Sequence, residues 1–177
     1  MRAFVWAVFV LGCHRAATRP FADLLSPDTP PSNLVLEPVT GPAVWTDDEL
    51  TMGIPAGWRG YRGPDDAALL LSVHDAAVGV SLEIWSFARS GELGPRPRDG
   101  YEVLFRDEGE YRSLPGLDAQ VAATSLPEDP AAPIIQGYYA WMGDREVHVE
   151  VLYRPGSLLA GQEAVRPLLQ TLRSVYP

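Results

Sequence analysis

Ile-Ile-Gln-Gly-Tyr-Tyr-Ala-Trp-Met, residues 134 to 142, is followed by Gly143-Asp144 and then by Arg-Glu-Val-His-Val-Glu-Val-Leu-Tyr, residues 145 to 153. Both nine-residue runs are rich in β-branched and aromatic residues, which suit a pleated surface. Only two residues separate them, and glycine at the first of the two suits a type II′ hairpin turn. Such a turn sets the register: Met142 opposite Arg145, Ala140 opposite Val147, Tyr138 opposite Val149, Gln136 opposite Val151. Side chains alternate between sheet faces, so Val147, Val149, Val151 and Tyr153 share one face and Glu146, His148 and Glu150 the other. The apolar set is expected to face the core and the charged set to face water.

Working outward from this hairpin, further strands are expected at Glu49 to Ile54, stopped by Pro55, and at Ala67 to His74. Val78 to Phe87 alternates, with Val80, Leu82 and Ile84 on one side, and Ala119 to Ser125 is a strand of small residues. Tyr101, Leu104 and Phe105 fall at helical spacing after Pro97 and Asp99, which predicts a short helix there. Towards the end, Leu158, Leu159, Val165, Leu168, Leu169, Leu172 and Val175 form a wide apolar stripe, and a helix capped by Ser157 is expected. Pro167 lies inside that stripe, where it removes a hydrogen bond and crowds the preceding turn. The helix is therefore expected to kink there or to begin close to it. The sum is an α+β domain: a mostly antiparallel central sheet flanked by helices and closed by a C-terminal helix.

The chain has 177 residues, enough for one domain with additions. Apolar residues make up 46% and charged residues 21%, so a core is affordable and the chain is not disordered overall. The formal charge of -9 disfavours nucleic acid, whose phosphates need clustered basic side chains. It equally disfavours electrostatic attachment to anionic lipid. All fourteen basic residues are arginine, which excludes Schiff-base lysine chemistry and a Walker-type lysine. With one cysteine there is no internal disulfide and no cysteine-based zinc cluster.

The place of that cysteine is informative. Met1-Arg2 precedes an apolar run, Ala3 to Leu11, and then Gly12-Cys13. A basic residue, an apolar stretch and a small residue at its end are the parts of an export signal. The run is about nine residues, whereas a membrane-spanning helix needs about 20. Val10-Leu11-Gly12-Cys13 resembles the bacterial lipobox. The resemblance implies cleavage before Cys13 and lipid on the new terminal cysteine, with His14 behind it pointing to the outer membrane. The bland reading is a buried N-terminal element with an incidental cysteine. Two or more acyl chains anchor stably where one does not, so lipid would supply the membrane affinity that the acidic surface lacks.

Pro20, Pro27, Pro30, Pro31, Pro38 and Pro42 follow. Their spacing opposes helix and central strand and favours an extended spacer. Phe21, Leu24 and Leu25 are candidates for a turn that docks on the domain. The expected organisation is a signal peptide over 1–12, a lipidated Cys13 with a proline-rich tether over 13–43, and one domain over 44–177.

Leu50-Thr51-Met52-Gly53-Ile54-Pro55-Ala56-Gly57-Trp58, the glycine-led run Gly116 to Ala122, the strand Arg145 to Tyr153 and the closing Leu168 to Val175 together resemble the PsbP-like family. That family also takes in the bacterial lipoproteins DcrB and LpqN and secretion-system adaptor chaperones. The resemblance covers most of the domain but rests on structural motifs, and Pro167 departs from the usual pattern. It implies a sheet flanked by helices and a protein that binds or stabilises other proteins, with no catalytic residues to carry over.

Candidate chemistry is sparse. Glu146 and Glu150 lie about 13 Å apart along a strand, too far to converge on one metal ion. Ser72 and His74 sit about 7 Å apart on a strand, which does not make a nucleophile and base with Asp75. Asp107-Glu108-Gly109-Glu110 lacks the ligand spacing of a calcium loop, and Asp47-Asp48-Glu49 and Asp65-Asp66 read as solvated turns. Trp58, Arg59, Tyr61 and Arg62 are candidates for an exposed cation–π loop that touches a partner, against an ordinary turn with Trp58 plugging the core. Trp85, Tyr139 and Trp141 would make a binding patch if they share an uncovered face. The expected function is a non-enzymatic envelope lipoprotein, held to the membrane by lipid on Cys13, that binds or assembles another envelope protein without cofactor or nucleic acid. A small-molecule or lipid carrier is the alternative, and a hydrolase or metal-dependent enzyme comes third.

Overall fold

A computed structural model describes residues 36–64, 68–89, 91, 93–105 and 118–175. Cys13 and residues 14–35, Asp65-Asp66 and the acidic stretch at 107–110 lie outside the described residues.

The strands are β1 (Glu37–Thr40), β2 (Ala43–Thr46), β3 (Leu50–Ile54), β4 (Arg59–Arg62), β5 (Leu69–Asp75), β6 (Val80–Ala88), β7 (Tyr101–Phe105), β8 (Asp118–Pro127), β9 (Ile134–Met142), β10 (Arg145–Tyr153) and β11 (Arg173–Ser174), with one helix, α1 (Leu158–Thr171), before the last of them. Eight strands form one sheet in the order β1-β4-β5-β6-β10-β9-β8-β7, and β11-β3-β2 form a second. Every pairing is antiparallel. The architecture is α+β: a large antiparallel sheet with a C-terminal helix packed against it.

The β9–β10 hairpin has the register read from its turn, with Met142 opposite Arg145 and Ala140 opposite Val147. Gly143 takes φ +58°, the left-handed conformation that a two-residue hairpin needs at its first central place. Strand β10 is central, lying between β9 and β6, so neither of its edges meets solvent. Its Val147, Val149, Val151 and Tyr153 join Val80, Leu82 and Ile84 of β6 and Leu71 and Val73 of β5 in one buried cluster. Leu50, Met52 and Ile54 of β3 and Val165, Leu168 and Leu172 from the helix and its end close over that cluster. The core therefore lies between the large sheet and a second layer made of α1 and the small sheet. Each fully buried aliphatic side chain contributes roughly 1.5–3 kcal/mol.

Four local expectations need correction. Tyr101 to Phe105 is strand β7, not a helix, and pairs with β8 from Tyr101–Pro127 to Phe105–Ala123. The apolar spacing there fits either period over so short a run, and ladder bonds to β8 decide for strand. Among the described residues α1 is therefore the one helix, and the small sheet fills the rest of the layer where flanking helices were expected. Ser157 does not cap α1 with its side chain; its Oγ donates to Arg154 O at 2.8 Å and Gly79 O at 3.1 Å. Finally, the proline-rich stretch enters the fold at Glu37, short of the expected boundary at 43: β1 pairs with β4, and Pro38 is tolerated because β1 is an edge strand.

Pro167 lies within α1, which runs through it to Thr171. Burial of Leu168 and Leu172 against the sheet layer offsets the lost hydrogen bond. Thr171 then ties the helix end to β3, its Oγ accepting from Gly53 N at 3.0 Å.

Candidate functional site

The second face of the large sheet carries the unusual chemistry. Alternation places Glu146, His148 and Glu150 of β10 on it, beside Trp85, Phe87 and Glu83 of β6 and Tyr139 and Trp141 of β9. Glu146, His148 and Glu150 were expected in water, and Glu83 was not singled out. All four are buried: Glu83 is 3% exposed, Glu146 2%, His148 2% and Glu150 4%. The alternation was read correctly and its meaning was not, because a polar face signals solvent only when nothing packs on it.

Register puts Glu83 directly opposite Glu150. Two carboxylates side by side out of water disfavour double ionisation, and burial adds to this. The Glu83 carboxyl is accordingly pushed up to about 7, by burial first and by the Glu150 charge second. The Trp85 indole N–H donates to Glu83 Oε2 at 3.1 Å. Glu150 is ion-paired with Arg98, which reaches in from the segment before β7. The Tyr139 hydroxyl donates to Glu150 Oε1 at 3.4 Å. Burial, then the Glu150 charge, raises the Tyr139 phenol above its ordinary range, so it remains a donor. Gly137 makes this geometry possible. A Cβ at Gly137 would come within 2.0 Å of the Tyr139 Oη, so the tyrosine ring lies across the bare glycine and its hydroxyl reaches Glu150.

One residue pair along, His148 Nε2 and Glu146 Oε1 are 2.6 Å apart. Burial lowers the His148 pKa, and the bond to Glu146 opposes that shift. The imidazole is wedged between rings, edge-on to Phe87 at 5.0 Å and to Tyr139 at 4.7 Å. Trp85 and Phe87 stack at 6.2 Å with an interplanar angle of 3°. Two more arginines lie on this face by cation–π contact, Arg96 over Phe87 at 3.7 Å and Arg89 over Trp141 at 4.1 Å. The expected patch of Trp85, Tyr139 and Trp141 does share a face, but Tyr139 is buried.

The other candidates do not gather into a site. Trp58 is 3% exposed and belongs to the core, which corrects its place in an exposed partner-binding loop and agrees with the alternative in which it plugs the core. Arg59, Tyr61 and Arg62 lie on β4, a strand and not a loop, with Arg62 Nε 4.0 Å from Glu37. Asp75 is engaged by the turn after β5, where its Oδ1 accepts from Ala77 N at 2.9 Å and Val78 N at 3.2 Å. Its neighbour His74 is half of no dyad; its pKa is lowered by burial first, then by Arg59 and Arg154. Asp47 Oδ1 likewise accepts from Glu49 N at 2.8 Å and Leu50 N at 2.6 Å. Among the described residues no group of three or more His, Cys, Asp or Glu side chains is arranged to hold a metal ion, and no helix is long and apolar enough to cross a membrane.

Sequence reasoning missed Glu83, Arg96 and Arg98. The signal was present for the first: Glu83 interrupts an otherwise apolar or small strand, Val-Ser-Leu-Glu-Ile-Trp, at the height of Glu150. Arg96 and Arg98 sit in a segment without periodicity, and only the folded chain brings them over the sheet.

Compared with known proteins, the chain matches no family model, and no curated protein is similar enough to serve as a relative.

Proposed function

We propose that this protein is a lipid-anchored component of the bacterial cell envelope whose domain binds another protein and performs no chemistry of its own. The anchor half of the reading rests on the lipobox-like Val10-Leu11-Gly12-Cys13 after the short apolar run. By the same resemblance the chain would sit in the outer membrane. The PsbP-like reading of the domain rests on the motifs around Pro55-Ala56-Gly57-Trp58, the β10 strand and the closing helix, and members of that family mostly bind or stabilise other proteins.

The observation that carries the binding half is how the buried ionisable groups are used. Glu83 is engaged by Trp85, Glu150 by Arg98 and Tyr139, and Glu146 by His148. Each of these groups is held by a neighbour within the chain, whereas a general acid or base must reach a substrate proton, and the aromatic rings and arginines on the same face are side chains enriched in recognition surfaces.

Membrane partition and intact mass of the wild-type chain and of Cys13→Ser, expressed in a bacterium, test the anchor. The wild type is expected in the detergent phase with an acyl mass increment on a chain starting at Cys13, and the variant in the aqueous phase. Both chains remaining aqueous, with residues 1 to 12 intact, would overturn it.

A further inference from the structure

The chain between β6 and β7 reads Leu93-Gly94-Pro95-Arg96-Pro97-Arg98 where it crosses the acidic, aromatic face. Pro95 and Pro97 have no amide hydrogen and fix φ, so this segment cannot pair as a strand. Among the described residues no backbone–backbone hydrogen bond joins Leu93 to Pro97 to the sheet. Its contacts to the sheet are made by side chains: the Arg96 guanidinium lies 3.7 Å over the Phe87 ring, and Arg98 is ion-paired with Glu150. This is how a proline-containing peptide sits on an aromatic-lined groove, with a low-entropy backbone and a few anchoring side chains.

The receiving surface is also braced from within the sheet. Phe87 is braced by Trp85 on one side and His148 on another, and Glu150 is held by Tyr139. A third guanidinium, Arg89, stacks at 4.1 Å on Trp141 of the same face. Aromatic faces and carboxylates together select guanidinium groups over other chemistries. The net charge of -9 also favours a cationic visitor.

We infer that the face formed by Phe87, Trp85, Tyr139 and Glu150 is the docking site for an extended, arginine-bearing segment of a partner protein, and that Pro95 to Arg98 occupies it in the resting chain. This deepens the protein-binding half of the proposed function and rests on it. A tethered segment competes at a local concentration in the millimolar range, so an incoming peptide meets a site that is open for a small fraction of the time, and its apparent affinity falls by that fraction. Release of Arg96 opens the site without touching the receiving residues.

The test uses the full chain in detergent micelles and a capped peptide of sequence Leu-Gly-Pro-Arg-Pro-Arg, titrated by calorimetry with tryptophan fluorescence alongside. Wild type is expected to bind it weakly, and Arg96→Ala about 10-fold more tightly. A peptide with both arginines replaced by neutral citrulline should lose the gain, and so should Phe87→Leu added to Arg96→Ala. Arg98→Gln, checked for native circular dichroism, is the second variant and should also bind more tightly than wild type. The inference is overturned if neither vacated variant gains affinity, if the citrulline peptide binds equally well, or if the gain survives Phe87→Leu. Lipid anchoring through Cys13 is read separately by membrane partition, so a failed titration with an intact anchor removes this site and leaves the anchor standing.

Discussion

The two faces of strands β6 and β10 both bury side chains and are entirely different, the second leaving Trp85 and Phe87 half-buried. On the face towards α1, Leu82, Ile84, Val149 and Val151 pack against β3 and the helix. On the other, Glu83, Glu146, His148 and Glu150 are withdrawn from water with aromatic rings between them. The first face needs only shape and volume. The second must answer its ionisable groups, since a buried group without a partner costs more than a made bond returns; Glu83, Glu146, His148 and Glu150 each have a neighbour, while Ser81 Oγ on the same face has none. One face is thus a source of stability, while the other is an expense that a sheet built for stability alone would avoid.

Breaking the apolar face should produce the largest effect. Ile84→Ala leaves a cavity in a site with no solvent exposure and should cost about 2–5 kcal/mol in denaturant unfolding. A loss below about 1 kcal/mol would mean that the core relaxes around the gap far more than close packing allows.

Gly137→Ala tests the construction of the polar face. The new Cβ meets the Tyr139 ring, and the ring must lift away from Glu150. About 1–3 kcal/mol of destabilisation is expected, as for overpacking. Unchanged stability with unchanged Tyr139 fluorescence would show that the ring does not depend on the bare glycine.

Glu83→Gln should go the other way. Because the folded-state pKa of Glu83 is raised to about 7 from 4.5, the folded state holds a proton that the unfolded state releases. Wild-type stability from this group is therefore intact below about pH 4.5 and falls as pH rises towards 7. The glutamine variant lacks that fall and should be more stable than wild type by about 1–2 kcal/mol at pH 8. His148 works in the opposite sense: its lowered pKa makes its contribution full above about pH 6.5 and lost as pH falls. Subtracting the two unfolding profiles, wild type minus Glu83→Gln, isolates the glutamate. A flat difference from pH 4.5 to 8 would contradict the carboxylate pairing.

Arg166→Ala is the smallest expected change. Arg166 and Glu163 form an i,i+3 pair at 2.6 Å on the exposed side of α1, and its loss should cost no more than about 0.5 kcal/mol. The Arg98–Glu150 contact is also a salt bridge, yet its carboxylate is buried. Arg98→Ala should therefore exceed Arg166→Ala by a clear margin, and equal effects would erase the distinction between the faces.

How much was legible follows from how local each determinant is. The β9–β10 register was readable because a two-residue turn sets it within twenty contiguous residues. Strands β3, β5, β6 and β8 were readable because each carries its own alternation or β-branched run. Tyr101 to Phe105 was not, since five residues fit both periods and the pairing partner β8 lies some way along the chain. The acidic face was half readable: its members were named from alternation, but water was assumed on top of them.

Residue order alone determined strands β3, β5, β6, β8, β9 and β10, the hairpin register, the apolar face of β10 and the closing helix, because propensity, turn chemistry and periodicity act between near neighbours. Tertiary structure decided that Glu83 stands beside Glu150, that Gly137 gives its space to Tyr139, and that Arg96 and Arg98 lie on the opposite face of the sheet. Those facts depend on which strands become neighbours and on where a segment without periodicity crosses them, and burial is a property of the assembled sheet that no single strand carries in its own pattern.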